Sequence, residues 1–375
     1  MVHLFTNPNN YFNALTLGSI FAMIAVGYTM VYGIVKLINF AHGEVFMFGA
    51  YFGYFVTLPL SEGSAVGLAI PLAVVAGMVG CAALGIVIDW TAYLPLRAKH
   101  RWPGLLSTVG LLLVAVNTLW YFSLSKKDQP AGVPMVLLSL VALAVLVAAL
   151  LTLMGRLGPP DRTVEAGRLS ALITAIGMSL ALQTIAQMIW TPSPRAIAHD
   201  AIPAAFHEPV FTLLGAQVQG KELATWIVAA TLTIVLSFLV SSTRIGKAMR
   251  ACAIDKQTAA LMGINVNHVI AFTFVVGSAM AAVAGIFMHL KGGVNIDPRY
   301  GYYPGVIAFA AAVLGGIGNI RGAMLGGMIL GFVKAFIDAI PSWSPYSFAF
   351  AFGLMCIVIV FRPSGLLGRP EAKRA

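Results

Sequence analysis

The chain has 375 residues, 59% of them hydrophobic and only 10% charged, with 23 Lys and Arg against 13 Asp and Glu for a formal net charge of +10. Ordinary soluble domains carry about 25% charged residues, so a soluble protein of this length would have to expose large apolar patches. With a mean hydropathy of +0.89, these figures exclude a cytosolic enzyme, a secreted disulfide scaffold and a disordered chain, and predict an all-α polytopic integral membrane protein.

A membrane span needs about 20 apolar residues. Eleven stretches are candidates: 12–35, 40–60, 66–89, 104–124, 133–154, 169–190, 223–241, 269–290, 304–318, 322–339 and 346–361, the ninth and eleventh short. We expect 9–11 of these to cross. The N-terminal MVHLFTNPNNYF lacks the basic region and short apolar core of a cleaved signal peptide, so the first stretch is expected to be retained. The second contains His42 and Glu44 and reads as a broken or re-entrant element. Cys81, Cys252 and Cys356 stand far apart, without metal-type spacing, and read as inert thiols.

Lys and Arg collect in cytoplasmic loops. With the N-terminus periplasmic and the C-terminus cytoplasmic, 16 of the basic residues fall inside and 6 outside, with Lys334 within a span. The positive excess therefore reads as topology, with no need to invoke nucleic acid.

Two loops are long. The outer one, from about Thr191 to Glu222, mixes Pro192, Pro194, Pro203 and Pro209 with His199, Asp200, His207 and Glu208. The inner one spans residues 242–268. Its stretch from Lys247 to Met262 is rich in Ala and free of Pro and Gly, which predicts one short helix stopped by Gly263. Ala251, Ala259 and Met262 would oppose Arg250, Asp255 and Lys256 on that helix, suiting either a lipid anchor or a docking surface for a partner. Further on, Gly318, Gly322 and Gly326 recur every fourth residue, and Gly327 and Gly331 repeat the spacing. Such a smooth stripe fits tight helix packing, a moving substrate path, or both.

Ionisable groups at membrane depth are costly and call for a reason. Lys334 and Asp338 are one turn apart and should satisfy each other. Asp89 reads as interfacial, and Lys36 can snorkel from a span end. His42 and Glu44, within NFAHGE, act either as a hydrogen-bonded cap fixing a break or as a substrate or gate contact. No phosphate-cradling loop is present: Gly246-Lys247 is followed by Ala248, and Ser241 stands where the first glycine belongs. HExxH and GxSxG are absent too, so no enzymatic activity is expected of this chain.

Four blocks resemble one family, in its order and over nearly the whole chain. They are NALTLGSIFAMIAVGYTMVYGIVKLINFAHGEVFMFGAY, RIGKAMRACAIDKQTAALMGINVNHVIAFTFVVGSAMAAVAG, FAAAVLGGIGNIRGAMLGGMILG and PSGLLGRPE. The family is that of branched-chain amino-acid ABC transporter permeases of the LivH type. The resemblance implies a single permease domain over residues 1–375 in the bacterial inner membrane, moving Leu, Ile and Val. It also implies a homologous second permease subunit, two ATP-binding cassette ATPase subunits that hold ATP and Mg, and a periplasmic substrate-binding protein. No cofactor is implied for this chain. The inner loop would be the coupling helix that docks on an ATPase, through Arg250, Asp255, Ala259, Ala260, Gly263 and Ile264. Polar residues of the path are expected at Asn13, Thr16 and Ser19 near the outer end of the first span, and at Asn39, His42 and Glu44 near its inner end.

Related permeases for urea or short-chain amides give an alternative substrate. A self-sufficient secondary transporter, driven by protons through His42 and Glu44, is an alternative of a different class. One segment departs from the family pattern: about 70 residues, 98–168, stand between YLPLR and LSALITAIGMS. Their two apolar stretches predict an inserted, peripheral helical hairpin that preserves the orientation downstream.

Overall fold

The N-terminal helix α1 (Pro8–Val35) organises the molecule. Asn7 caps it, its side chain accepting from the Asn9 amide, and Pro8 occupies the first turn, where a missing N–H costs nothing. The helix is apolar all round, and such a helix belongs in an interior. It is buried along nearly its whole length. It ends where Lys36 adopts a left-handed conformation, at φ 61° and ψ 22°.

The structure is a computed structural model that describes residues 7–60, 66–94, 163–190, 194–196, 202–213, 215–292 and 295–368. After α1 come α2 (His42–Thr57), a 3-10 turn (Leu58–Leu60) and α3 (Val66–Ile88), which continues into a π-helical turn (Asp89–Tyr93). Then follow α4 (Thr163–Trp190), the single turn α5 (Ala204–His207), α6 (Gly220–Ser242), α7 (Arg244–Ile254), α8 (Lys256–Leu261) and α9 (Val266–Lys291). The chain closes with α10 (Tyr302–Gly315), α11 (Ile320–Asp338), a 3-10 turn (Ser344–Tyr346) and α12 (Ser347–Phe361). A small antiparallel hairpin of β1 (Pro209–Leu213) and β2 (Ala216–Gln219) interrupts the otherwise helical chain in the outer loop.

Nine of the eleven apolar stretches are occupied by helices, and 104–124 and 133–154 lie outside the described residues. Six described helices are long and apolar enough to cross a membrane, and Tyr302–Gly315 is a shorter apolar helix. The last residues of the inserted segment, 163–168, begin α4, and the rest of it lies outside the described residues.

Described residues within Met1–Lys36, His42–Ile86 and Ser193–Ala375 form one compact unit. Those within Leu37–Ala41 and Val87–Pro192 form a second. In the second, the Tyr93 hydroxyl donates to the Ile38 carbonyl at 3.1 Å. Asp89 is buried there, at the start of the π-helical turn.

In the first unit, α1 packs against α11, α9, α6 and α10. Apolar burial cannot drive such packing in lipid, so close backbone approach must. Glycines on two faces of α11 provide it. A Cβ on Gly331 would lie 2.2 Å from the Cα of Gly18, and one on Gly327 would lie 2.4 Å from the Cα of Ala22. On the other face, a Cβ on Gly322 would lie 2.2 Å from the Gly315 carbonyl oxygen, and one on Gly326 would lie 2.1 Å from that of Ala311. Gly318 belongs to neither stripe. It sits in the turn before α11, at φ 89°.

The unit has two distinct ends. At one, Tyr11 meets Phe336 edge-on at 5.1 Å, and Trp226 Nε1 donates to Thr16 at 3.0 Å. The starts of α1 and α6 and the end of α11 therefore lie together. At the other end, α1 finishes beside α7, and Asn319 before α11 donates to the Leu367 carbonyl at 2.7 Å.

Candidate functional site

Two helices start inside the layer. His42, the first residue of α2, hydrogen-bonds the Ile24 backbone. A Cβ on Gly27 would lie 3.1 Å from His42 Nε2. Gly27 stands eight residues before the end of α1, a rise of about 12 Å. His42 and Glu44 are therefore deep in the layer, and not near the inner end of the first span as expected. The start of α10 meets them there: Gly43 packs directly on the backbone of Gly301 and Gly305. Only glycine permits this, since a Cβ on Gly43 would lie 2.5 Å from the Gly301 carbonyl oxygen.

The polar groups of this region are buried. His42 stands edge-on to Tyr28 at 5.5 Å, and Tyr300 stacks on Phe46 at 5.4 Å. His42 Nε2 and the Tyr300 hydroxyl have no hydrogen-bond partner among the described residues. Glu44 lies in the first turn of α2, where the helix dipole favours a negative charge.

Three of the other path candidates lie on α1. Thr16 is buried, donates to the Phe12 carbonyl at 2.9 Å and accepts from Trp226. Asn13 is half-buried and Ser19 buried, both towards that same end. Asn39 is buried in the second unit, its Oδ1 without a partner among the described residues. Asn13, Thr16 and Ser19 thus stand apart from His42, which meets α1 at Ile24 and Gly27.

A cavity of about 720 Å³ opens at the α7 end of the first unit. Its apolar lining includes Met30, Ile34, Met249 and Ile317, and its polar lining Thr29, Ser237, Ser241 and Asn319. Lys36, Arg250 and Arg321 also line it, and among the described residues no acidic one does. The volume suits a small molecule, and the charges favour a carboxylate. None of Asn13, Thr16, Ser19, Asn39, His42 or Glu44 lines this cavity. Sequence reasoning missed Thr29, whose buried Oγ1 has no partner among the described residues. Its hydroxyl, on the same span as Thr16 and Ser19, was the available signal.

The inner loop forms two helices where one was expected. Asp255 is extended, at φ −153° and ψ 115°, and caps α8 by accepting from the Gln257 and Thr258 amides. Its other carboxylate oxygen accepts from the Thr258 hydroxyl at 2.8 Å. A strong cap outweighed the Ala-rich continuity. Gly263 follows α8 at φ 83°. Ala259 is buried, Ala260 exposed and Ile264 half-buried. Met262, expected on the apolar face with Ala259, is exposed together with Ile254 and Leu261, at 79%, 83% and 86%. Arg250 donates to the carbonyls of Val240 and Ser241, at 3.0 Å for the latter. Burial pushes the Cys252 thiol above its ordinary range, with Lys256 opposing, as an inert thiol should be.

The comparisons decide the family. Residues 10–360 match the family described as branched-chain amino acid transport system / permease component. The chain belongs to this family. It is 35% identical over 364 residues, covering 96% of each chain, to the high-affinity branched-chain amino acid transport system permease protein BraD of Pseudomonas aeruginosa. It is also 35% identical over 375 residues, covering 97% of this chain and 96% of the relative, to the permease protein LivH of Escherichia coli. A solved structure, PsaBC from Streptococcus pneumoniae in complex with Fab, superposes over 94% of this chain and 91% of that one with a TM-score of 0.41 and 10% identity, too loose a likeness to add to this. The chain is thus a multi-pass membrane permease component, and the buried polar residues of α1 and α2 and the basic cavity belong to that permease.

Proposed function

We propose that this chain is a membrane-embedded subunit of an ATP-driven importer of leucine, isoleucine and valine. The observation that carries the reading is 35% identity along 96% of both chains to a branched-chain amino acid permease. It resides in the bacterial inner membrane, N-terminus outside, with a homologous permease, two ATPase subunits that bind ATP and Mg, and a periplasmic binding protein. One feature supports the orientation: Lys36, Arg250 and Arg321 gather at one end of the unit, and cytoplasmic ends collect positive charge. The exposed apolar residues Ile254, Leu261 and Met262 support docking of α7–α8 on an ATPase.

In mechanism, substrate enters at the end of α1 that bears Asn13, Thr16 and Ser19, and passes the level of His42 and Glu44. It leaves through the basic cavity, whose cations attract the carboxylate while Met30 and Ile34 accept the aliphatic side chain. Alternating access requires contacts that differ between two states, and the ATPases drive that change through α7–α8. The test is uptake of labelled leucine by cells lacking this chain, with and without its return. Restored uptake, competed by isoleucine and valine but not by urea or acetamide, is expected. Competition by urea or acetamide alone would contradict the substrate assignment.

A further inference from the structure

We propose that Lys256 is a positioning residue that ties the inner-loop helices to the end of the central helix, so that their displacement is passed directly to α1. This rests on the importer reading above.

Three observations carry it. First, Lys256 Nζ, from the first residue of α8, donates to the Val35 carbonyl at 2.8 Å. Val35 is the last residue of α1, and its carbonyl is one that a helix leaves without an internal partner. Second, the next residue, Lys36, is the one non-glycine residue among the described residues with positive φ. That conformation is unfavourable for a side chain with a Cβ, and such outliers persist only where their surroundings hold them. Third, Arg250 makes the matching tie on the neighbouring span, donating to the last carbonyls of α6 at Val240 and Ser241.

The two ties grip two lips of the same cavity, since Ile34 and Lys36 line it from α1, and Val240 and Ser241 from α6. From Lys36 the chain runs on to His42, the start of α2 deep in the layer, within six residues. A shift of α7–α8 therefore acts on both walls of the cavity and on the strand of chain that leads to the buried polar groups. Neither tie needs a partner subunit to form. An apolar helix surface resting on the spans would slide past them, whereas a charged donor held on a helix-end carbonyl transmits pull as well as push.

The complete importer, reconstituted with its partner subunits and binding protein, supplies the test. Uptake and ATP hydrolysis are measured together for Lys256→Met, Lys256→Arg and Lys256→Met in a Lys36→Gly background. Substrate moved per ATP should fall about tenfold in Lys256→Met, the scale of a typical coupling energy, and Lys256→Arg should recover most of it. Lys36→Gly relieves the left-handed residue of its conformational cost, so it should restore assembly wherever Lys256→Met impairs it, yet leave the uncoupling in place. Unchanged uptake per ATP in Lys256→Met would overturn the proposal. So would full recovery by Lys36→Gly, which would make Lys256 a helix cap only, or loss of assembly in both backgrounds. The unaltered complex reports separately on the importer reading: its own failure to move leucine would sink that reading, whereas the tie is judged by the ratio of variant to parent for whatever substrate the complex moves.

Discussion

Gly331 meets Gly18 so closely that it cannot carry a side chain without moving a helix. A Cβ on Gly331 would lie 2.2 Å from backbone, where no rotamer change gives relief. Gly331→Ala should therefore lower stability by about 1–3 kcal/mol, read as a lower thermal midpoint in detergent. Gly353, with nothing within 4 Å of its added Cβ, is the control and should tolerate Ala. An equal response at the two positions would contradict the packing account. At this scale some of the chemistry was legible in advance. Lys334 and Asp338, read from a four-residue spacing, form an ion pair at 2.6 Å, with Lys334 Nζ also 4.8 Å above the Phe348 ring. The work of Arg250 and Lys256 was not legible. It depends on which helix-end carbonyls are left open and within reach, and that is fixed only when distant segments come together.

Among elements, the break between α7 and α8 is the instructive case. Composition favoured one helix from Lys247 to Met262, and the structure divides it at Asp255. The signal is present as a helix-capping Asp with Thr258 three residues on, but the same Asp also fits the charged face of a continuous helix. Asp255→Ala removes a cap that accepts from two amides, at a cost of about 1 kcal/mol. Hydrogen exchange at the Gln257 and Thr258 amides should quicken in that variant, with uptake falling as α7 and α8 lose their fixed angle. Unchanged exchange at both amides would show that the cap does not hold the break. Helix α2 gives the complementary lesson. NFAHGE marked a break, because a charge and a glycine there interrupt an apolar run. Its depth beside Gly27 was hidden, because it follows from glycine contacts between α1, α2 and α10.

For the whole molecule, hydropathy is a local property, and the described spans were accordingly found within a few residues of where they were expected. Their arrangement was less accessible. Two glycine stripes on one helix imply two neighbours without naming them, and the structure assigns one stripe to α1 and the other to α10. The charge asymmetry, at first a statement about topology, becomes a basic cavity at one end of the unit. What the molecule lacks is equally consequential. The sequence has no phosphate-cradling loop, and on the function proposed above the energy for transport enters through partner subunits, at the exposed surface of α7–α8. The most direct measurement of that central claim is leucine uptake into proteoliposomes holding this chain and its partner permease, with ATP supplied, in the presence and absence of the ATPase subunits. The account predicts accumulation against a gradient only when the ATPases and the binding protein are present. Accumulation by the permeases alone, driven by a proton gradient, would contradict it.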